Sequence, residues 1–534
     1  MGVFSEFAAL GRLFRMGRVL ARHDALMELD VMGPPPLAVR AGRRMLKLVS
    51  GRAAKPVAGS AGPLAAALTE LGPSHIKFGQ FLATRRDIVG EELAAELAQL
   101  QDKLPPFAQD EALREIAQGQ GRPVTDLFEE VGPPLAAASI AQVHRARTRE
   151  SGDAQPRDVA VKVLRPGIEQ RFARDMEAYK TAARLIERLY HPSRRLRPIA
   201  VVETMARSVE LEMDLRLEAA AISEMAENTA GDADFSVPEV DWARTSRRIL
   251  TTQWIDAVPL NRIDLLTEAG IDLKALADTI IRSFLRHAMR DGFFHADMHQ
   301  GNLFSDREGR LIAVDFGIMG RLSPKDRMFL AEILHGFIHR NYLRISQVHF
   351  DAGYIPSHQS VETFAQALRA IGEPIMGRDA EDISMARLLG QLLQVTEQFD
   401  MVTQPQLILL QKTMVVVEGV ARNLNPNLNM WVSARPVVED WMRRKLGPEG
   451  RLKMAGDSLA SVRRIAINFP DIVEDAGLGL RLIADMGRGG GIKLDESSAR
   501  QLAKAQAREG RGRRLALWIG ALSLAVLALM QLLH

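Results

Sequence analysis

The chain has no cysteine among its 534 residues, and only 5% of them are aromatic. The lack of cysteine excludes disulfides and thiol catalysis, and it is compatible with a reducing cytoplasm. The net charge is only +3, which gives no general nucleic-acid footprint, so no nucleic acid is expected as a partner. Apolar residues reach 47%, a composition typical of an alanine- and leucine-rich helical protein.

Two signatures are also missing. No Gly-x-Gly-x-x-Gly follows a predicted strand, and no ligand set for flavin, haem or iron is visible, which argues against a redox enzyme. The N-terminus lacks a long apolar run and carries Glu6 early, so no secretory signal is predicted.

Residues 295–317 have the composition of a nucleotide and metal site. They contain Asp297 and Asn302, and an apolar, strand-like run then leads to Asp315 in an Asp-Phe-Gly tripeptide. Phosphoryl transfer in the kinase fold requires a carboxylate facing the attacking group, an amide oxygen on a metal, and a second carboxylate between metal and phosphate. An ordinary hairpin with charged turns would have to place these residues at these offsets by chance. The pattern therefore predicts a catalytic Asp297 and metal ligation by Asn302 and Asp315.

One lysine interrupts a short β-branched run, Val-Ala-Val-Lys162-Val-Leu. A strand buried on both faces rarely carries a lysine unless its ammonium meets an anion. In the kinase fold that anion is a nucleotide phosphate, and a helix glutamate holds the lysine in place. Alone, the run could be an edge strand with a solvated lysine, but its position ahead of Asp297 favours the phosphate interpretation.

A glycine-rich phosphate loop is absent ahead of Lys162. The chain has Ala136, Ala137, Ala138 and Ser139 instead. The alanine methyl group disfavours positive φ and close backbone approach. We therefore expect this loop to contact phosphates differently and to flex less; a turn that only packs is the alternative.

Three acidic residues, Glu212, Asp214 and Glu218, fall close together. Asp214 and Glu218 are four residues apart and share a helix face, where like charges repel. A cation is therefore expected nearby, and Arg216 or solvent would satisfy this requirement.

Together these segments resemble the UbiB/AarF group of atypical kinases, which is linked to ubiquinone biosynthesis. Lys77-Phe-Gly79-Gln80 resembles the Lys-x-Gly-Gln signature of that family, and Glu212-Met-Asp214 resembles its Glu-x-Asp motif. The alanine-rich loop, the segment Leu100-Gln-Asp-Lys-Leu-Pro-Pro106, and residues 407–426 are similar to further family segments. The motifs occur in the family's order.

The expected fold is α+β and predominantly helical. The resemblance implies a protein-kinase-like, two-lobed arrangement, with a small β-rich N-lobe, a large helical C-lobe, an N-terminal helical extension and a C-terminal transmembrane helix. The expected divisions are a basic amphipathic leader (1–60), the extension (61–130), the N-lobe (131–260), the C-lobe (261–430), a helical C-terminal region (431–512) and a tail anchor (513–534).

The resemblance also implies roles for individual residues. Glu218 would pair with Lys162, whereas Glu212 and Asp214 would meet Lys77 or the metal, with the assignment left open. The extension would pack over the active site, which makes Lys77, Gly79, Gln80, Glu212 and Asp214 regulatory. ATP and Mg²⁺ are the implied cofactors. Besides Lys162, the nucleotide would contact Ala136, Ala137, Ala138, Ser139, Gln253 and Ile255.

The chain departs from the family pattern at several positions. Gln253 and Trp254 stand where relatives often have Glu-Trp or Glu-Tyr, and Met298 and Gln300 replace prolines. Base recognition normally uses backbone groups, so binding through Gln253 and Ile255 should tolerate the change. His295 and His299 have a metal-pair spacing, but they fall in a loop; we expect His295 to brace that loop.

Both ends of the chain suggest a membrane. Leu515–Leu533 carries no charged residue, and as a helix it would reach about 28 Å, near the hydrocarbon thickness. Arginines crowd its N-terminal side, so the catalytic body should be cytoplasmic, at the bacterial inner membrane. A buried C-terminal helix is the alternative. A single span differs from relatives, and a second copy in a homodimer could supply the partner helix.

At the N-terminus, apolar residues recur at helical spacing with arginines between them: Phe4, Phe7, Leu10 and Phe14, with Arg12, Arg15, Arg18 and Arg22. Such a helix could lie on anionic lipid or pack onto the protein body.

The expected function is an ATP-driven accessory factor for quinone lipid biosynthesis at a membrane. Membrane lipids, a quinone precursor and other quinone-biosynthesis proteins are the expected partners. A genuine kinase of proteins or small hydroxylated molecules is the alternative, because the catalytic loop alone does not exclude it.

Overall fold

The computed structural model of this protein describes residues 3–25, 45, 47, 62–83, 85, 89–97, 99–100, 104–150, 155–189, 194, 196–376, 395, 398–401 and 404–446. The chain forms two structural units, Met1–Arg443 and Arg444–His534. Nearly all of the second unit, including the expected tail anchor at Leu515–Leu533, lies outside the described residues. Among the described helices, none combines the length and the apolar character that crossing a membrane requires.

Helices predominate. In chain order they are α1 (Val3–Arg22), α2 (Pro63–Leu71), α3 (Pro73–Ala83), α4 (Glu91–Leu97), α5 (Gln109–Gln120), α6 (Val124–Leu127), α7 (Ile168–Leu189), α8 (Pro198–Glu212), α9 (Leu215–Thr229), α10 (Ile263–Glu268), α11 (Leu273–Arg286), α12 (Pro324–Ile338), α13 (Tyr342–Asp351), α14 (Val361–Met376), α15 (Pro405–Leu424) and α16 (Met430–Leu446). Several begin at proline, whose missing N–H is not needed in the first turn. Others follow a capping side chain such as Asp214 or Asp272, and α12 has both a capping Ser323 and a first-turn proline.

The strands are short: β1 (Phe128–Ala137), β2 (Ala141–Thr148), β3 (Asp158–Leu164), β4 (Phe235–Ser236), β5 (Ile249–Gln253), β6 (Val258–Pro259), β7 (Phe293–His295), β8 (Leu303–Ser305), β9 (Leu311–Ala313) and β10 (Met319–Arg321). The first sheet is antiparallel in the order β1-β2-β3-β5, and Lys162 pairs with Val143 and Leu250.

Side-chain alternation in β3 explains how this sheet carries a lysine. Val159, Val161 and Val163 are buried on one face, in a cluster with Ile116 of α5 and Ile249 of β5. Because successive side chains of a strand point to opposite faces, Lys162 lies on the other face. The Lys162 face of the strand packs toward α9. Because the valines are fixed in the apolar core on the opposite face, the lysine must point toward α9.

The larger helical part carries small strands that hold the catalytic loops. Strands β4, β9, β8 and β6 form one sheet, and β7 pairs with β10. Helix α11 packs against α15, and one large apolar core joins these helices to the strands. The turns after β7 and β9 therefore emerge from a rigid base.

The extension has a separate apolar cluster, formed by α1, α2 and α4 around Leu20, Leu64, Leu68 and Leu97. Helix α1 packs through Ala9, Leu20 and Ala21, whereas Leu10 and Phe14 are exposed. Packing onto the protein body is therefore observed for one face of α1. Lipid contact by the opposite face stays a prediction.

The α+β, mostly helical architecture with a small β-rich part is confirmed. The expected extension (61–130) is mostly helical in its described residues, with α2 to α6, although β1 begins at Phe128 within it. The division into six segments stays a prediction.

Candidate functional site

Lys162 lies at the centre of the site. Its Nζ is 2.8 Å from Oε1 and 3.0 Å from Oε2 of Glu218, and 2.9 Å from Oδ1 of Asp315. The sheet supplies the lysine, helix α9 supplies the glutamate, and the turn after β9 supplies the aspartate. The structure therefore has the Lys162–Glu218 contact that the resemblance implied, and it adds Asp315 to it.

The three charges set one another's ionisation. Burial lowers the pKa of Lys162, but the neighbouring charges of Asp315 and Glu218 outweigh it and keep the pKa above its ordinary value. Burial raises the pKa of Glu218 to about 7, with Lys162 only partly opposing it. Asp315 is only partly buried, with 48% of its side chain exposed; this burial works against its ionisation, but Lys162 holds its pKa below the ordinary value. The site therefore contains a permanent cation, an ionised Asp315 and a glutamate that titrates near neutrality.

His295 connects the Asp297 loop to the Asp315 loop. Its Nδ1 accepts a hydrogen bond from the backbone N–H of Asp297 at 3.0 Å, so the ring proton is on Nε2, which donates to the carbonyl of Val314 at 3.1 Å. Burial lowers the pKa of His295, so the ring stays neutral. His295 thus braces the loop, as the sequence indicated.

Asp297 itself is partly exposed, with 39% of its side chain accessible. His299 lies beside it: Nε2 of His299 is 3.8 Å from Oδ2 of Asp297, and its Nδ1 accepts from the N–H of Gly301 at 3.0 Å. Asp297 is therefore open to an attacking group while a histidine flanks it. Sequence reasoning did not find this role for His299.

Asn302 and Asp315 are suited to a hard cation. The side-chain amide N–H of Asn302 donates to the carbonyl of Asp297 at 3.1 Å, so the amide nitrogen is engaged and the oxygen is the end that can bind a metal. Asp315 has φ of 60°, a left-handed conformation that aspartate tolerates better than most residues. Its side chain is 48% exposed.

These donors fit Mg²⁺ when it arrives with a nucleotide. No three His, Cys, Asp or Glu side chains come together as a metal site in the part of the chain that the structure describes. Mg²⁺ usually takes one or two protein oxygens and completes its shell with phosphates and water. One amide and one carboxylate meet that need without a dedicated protein cage.

The alanine-rich segment is a tight turn between β1 and β2. Ala136 and Ala137 still pair with Val143 and Gln142 of β2, and the N–H of Ala138 donates to the carbonyl of Ala141 at 2.8 Å. Ser139 is fully buried. Contact of these residues with phosphates stays a prediction.

The side chain of Arg165 holds the backbone of this turn at Ala138. Its Nε and one terminal nitrogen donate to the carbonyl of Ala138 at 3.0 and 2.8 Å, and that nitrogen also donates to the carbonyl of Pro105 at 2.9 Å. The guanidinium lies over the ring of Phe107, 5.6 Å from its centroid. A residue three positions after Lys162 therefore restrains the turn, which supplies a cause for the expected rigidity.

Gln142 of β2 binds the backbone of Phe107, the residue whose ring lies under Arg165, and so ties it to the sheet. Its side chain accepts from the N–H of Phe107 at 2.9 Å, donates to the Phe107 carbonyl at 3.3 Å, and lies 2.9 Å from Nε2 of His144. Gln142 and His144 are both buried and two residues apart on β2. Two polar side chains on an inward strand face were the available sequence signal for this network.

The extension reaches the site through Lys77. Its Nζ is 3.1 Å from Oε2 of Glu212 at the end of α8. Burial raises the pKa of Asp315 and Lys162 lowers it most, whereas the charge of Lys77 adds only a small further lowering. Gly79 and Gln80 have packing roles instead. A Cβ on Gly79 would collide with Leu100 and Leu68, and Gln80 donates to the carbonyl of Leu100 at 3.3 Å.

Asp214 corrects one expectation. The family resemblance implied that Asp214 meets Lys77 or the metal. Its carboxylate instead binds the guanidinium of Arg216 at 2.6 and 2.9 Å. It also accepts a hydrogen bond from the N–H of Arg216 and so caps α9. Glu212 forms an ion pair with Lys77, and Glu218 forms one with Lys162. An N-cap must turn toward its own helix, which explains why Asp214 turns away from the cation that Glu212 meets.

The segment that begins at the last residue of β5 joins the first sheet to the larger helical part, and two of its backbone N–H groups are bonded within the protein. The N–H of Gln253 donates to the carbonyl of Glu239 at 2.8 Å, and the N–H of Trp254 donates to that of Asp158 at 3.1 Å. Gln253 is exposed and Ile255 is half-buried. A role of Gln253 and Ile255 in binding the base stays a prediction.

Comparison with known proteins places the site in a family context. Residues 99–349 match the model of the ABC1 atypical kinase-like domain, and residues 368–429 match that of the UbiB helical domain. The probable protein kinase UbiB of Marinobacter nauticus is 38% identical over 88% of this chain and 86% of its own length. The probable protein kinase UbiB of Xanthomonas euvesicatoria is 40% identical over 87% of this chain and 84% of its own. A solved structure of Mycobacterium tuberculosis Rv3197 with erythromycin has 22% identity and a TM-score of 0.46, over 78% of this chain and 97% of that one; this similarity supports no conclusion about this chain.

Proposed function

Because this chain belongs to the UbiB family, with an ABC1 atypical kinase-like domain followed by a UbiB helical domain, we propose that it is a membrane-associated ATPase that supports ubiquinone biosynthesis. It would bind Mg-ATP between the lysine-bearing sheet and the loops that carry Asp297 and Asp315. The alternative is a kinase that transfers the γ-phosphate to a hydroxyl group.

The convergence of Lys162, Glu218 and Asp315 carries this proposal. Their atoms come from three separate elements and meet within 3.0 Å. A lysine so tightly paired is a preformed phosphate site: an incoming phosphate replaces part of the Asp315 contact, and Asp315 becomes available to a metal. Purely structural ion pairs also occur, but this one lies beside Asp297 and Asn302, which no packing requirement explains.

The residues divide the work of phosphoryl transfer among them. Lys162, held by Glu218, would neutralise phosphate charge, and Asn302 with Asp315 would hold Mg²⁺. Mg²⁺, when bound, offsets the charge that develops on the phosphate oxygens. Asp297, held by the His295 brace, would orient the attacking water or hydroxyl and accept its proton.

Lys77 favours water over a protein as the acceptor. It extends from α3 to Glu212 and is close enough to Asp315 to lower its pKa. The family resemblance implies that the extension packs over the active site, which would leave little room for a protein chain to present a hydroxyl. We therefore infer slow hydrolysis, with ATP turnover coupled to exposing or moving a hydrophobic quinone precursor at the bilayer.

The experiment measures nucleotide binding and hydrolysis by the full-length protein in vesicles of phosphatidylethanolamine and phosphatidylglycerol. The wild type should bind Mg-ATP and release phosphate slowly. Asp297→Asn should bind the nucleotide normally and lose at least about tenfold in hydrolysis. Absence of Mg-ATP binding would refute the proposal, and rapid labelling of added proteins or small phenols would favour the kinase alternative.

In cells, the same variant separates the biosynthetic part of the proposal. A strain with Asp297→Asn at normal protein level should contain less ubiquinone and more precursor. Unchanged ubiquinone would remove the link between nucleotide turnover and biosynthesis.

A further inference from the structure

A threonine in the helical part reaches the catalytic loop from behind. Thr413 lies in α15, within the segment that matches the UbiB helical domain, and it is fully buried. Its Oγ1 is 3.0 Å from the carbonyl oxygen of Ala296, which immediately precedes Asp297. The two residues are far apart in sequence, so this contact exists only through the tertiary fold.

The hydroxyl has one proton and two acceptors. Besides Ala296, Oγ1 lies 2.8 Å from the carbonyl of Leu409, one turn earlier in α15. Threonine in a helix commonly donates to that i−4 carbonyl, so the local bond alone would satisfy the side chain. Sharing the proton with Ala296 means that the position of α15 determines how strongly the catalytic loop is held.

Both backbone polar groups of Ala296 form hydrogen bonds. Ala296 is buried, and its N–H donates to the carbonyl of Ile318 at 3.0 Å. Thr413 holds the carbonyl of the same residue, and the peptide that leads from it to Asp297 donates its N–H to His295. Three contacts therefore fix the backbone on the N-terminal side of Cα of Asp297, and of these three the Thr413 contact comes from the helical domain.

A second contact acts on the turn that precedes β7. Nε1 of Trp441 in α16 donates to the carbonyl of Met289 at 2.8 Å. Met289 lies in a π-helical turn, His287–Asp291, just before β7, and such turns have carbonyls that lack regular helix partners. Helix α16 thus holds the backbone before β7, and helix α15 holds the catalytic loop after it.

We propose that Thr413 is a positioning residue, through which the helical domain sets the orientation of Asp297. The helical domain then contributes to the geometry of the active site through this hydrogen bond. The proposal rests on the proposed function for its kinetic consequence, but its structural consequence, restraint of the loop, does not depend on nucleotide.

Three variants test it. Thr413→Val removes the hydroxyl at nearly constant shape, and Thr413→Ser keeps it. Thr229→Val is the matched control, because Thr229 is a buried helical threonine whose Oγ1 donates to the carbonyl of Met225 at 2.8 Å. All three should unfold cooperatively.

In the full-length protein, Thr413→Val should lower kcat for Mg-ATP hydrolysis about tenfold, since displacement of a catalytic group costs rate more than affinity. KM and nucleotide affinity should stay near the wild-type values because Lys162, Asn302 and Asp315 are untouched. Thr413→Ser should restore most of kcat, and Thr229→Val should leave it unchanged.

Hydrogen–deuterium exchange supplies the second readout. Amides of the segment 294–302 should exchange faster in Thr413→Val than in wild type or Thr229→Val, with or without nucleotide. Equal exchange and equal kcat in Thr413→Val and Thr229→Val would overturn the proposal. If the wild type does not bind Mg-ATP, the proposed function fails, and the exchange measurement still decides whether Thr413 restrains the loop.

Discussion

Nζ of Lys77 lies 3.1 Å from Oε2 of Glu212 and joins the extension to the helix that precedes the Glu218 helix. Both side chains are mostly buried, with 15% and 21% exposed. Glu212 therefore holds a cation that would otherwise act more strongly on Asp315.

This relationship predicts opposite effects for its two members. Lys77→Met removes a positive charge that acts on Asp315 and so competes with Mg²⁺, and half-maximal hydrolysis should therefore need about threefold less Mg²⁺, the size expected for a charge interaction with a half-exposed carboxylate. Glu212→Gln releases Lys77 toward Asp315 and should raise the Mg²⁺ requirement by a similar factor. Magnesium titrations of hydrolysis measure both, and the double variant should resemble Lys77→Met. Shifts in the same direction for both single variants would contradict the competition.

Removal of Lys162 should weaken nucleotide binding. Lys162→Met leaves no cation for the phosphates, and the buried Glu218 will take up a proton because its ionised form has lost its partner. We expect a loss of at least about tenfold in Mg-ATP affinity, measured by calorimetry. Lys180→Met is the control, since Lys180 forms a more exposed pair with Glu177 at 3.2 Å; an equal loss in both variants would argue against a phosphate site at Lys162.

The pH dependence should have opposite signs for stability and activity. The pKa of Glu218 in the folded protein, about 7, is above its ordinary value of 4.5, so the folded state binds more protons between these values. Its contribution to the free energy of unfolding is therefore present at the acid end and is lost as the pH rises through about 7. Hydrolysis should rise over the same interval, because ionised Glu218 holds Lys162.

Denaturant unfolding and hydrolysis rates between about pH 4 and about pH 8 check this prediction, since that range covers both the ordinary and the raised pKa. Glu218→Gln should be less active but should lose the titration from both profiles. Retention of the same pH profile in that variant would assign the titration to another group.

Gly79 should be needed for docking of the extension. A Cβ at this position would collide with Leu100 and Leu68, so Gly79→Ala should destabilise the protein by about 1–3 kcal/mol. Gly419→Ala in α15 meets nothing within 4 Å and should stabilise it by up to about 1 kcal/mol, because alanine is the better helix former. Denaturant unfolding compares the two, and equal effects would show that the space at Gly79 is not limiting.

The sequence by itself was sufficient for the local parts of the site. The β-branched run around Lys162 predicts a strand whose lysine meets an anion, and the spacing of Asp297, Asn302 and Asp315 predicts the chemistry of their loops. Periodicity and turn composition act over a few residues, so these features can be read without knowing the fold. Charge spacing likewise suggested Arg216 or solvent as the partner of Asp214, because residues two apart in sequence are close in any fold.

Tertiary structure alone decided which charges meet. The assignment of Glu212 to Lys77 and of Glu218 to Lys162 depends on how α3, α8 and α9 pack around the sheet, and the spacing of the three acids permits either arrangement. The contact of Thr413 with Ala296 and the hold of Arg165 on Ala138 likewise join residues that no sequence pattern connects. Such contacts form because apolar packing brings separate elements together, and buried polar groups must then find partners among whatever lies opposite.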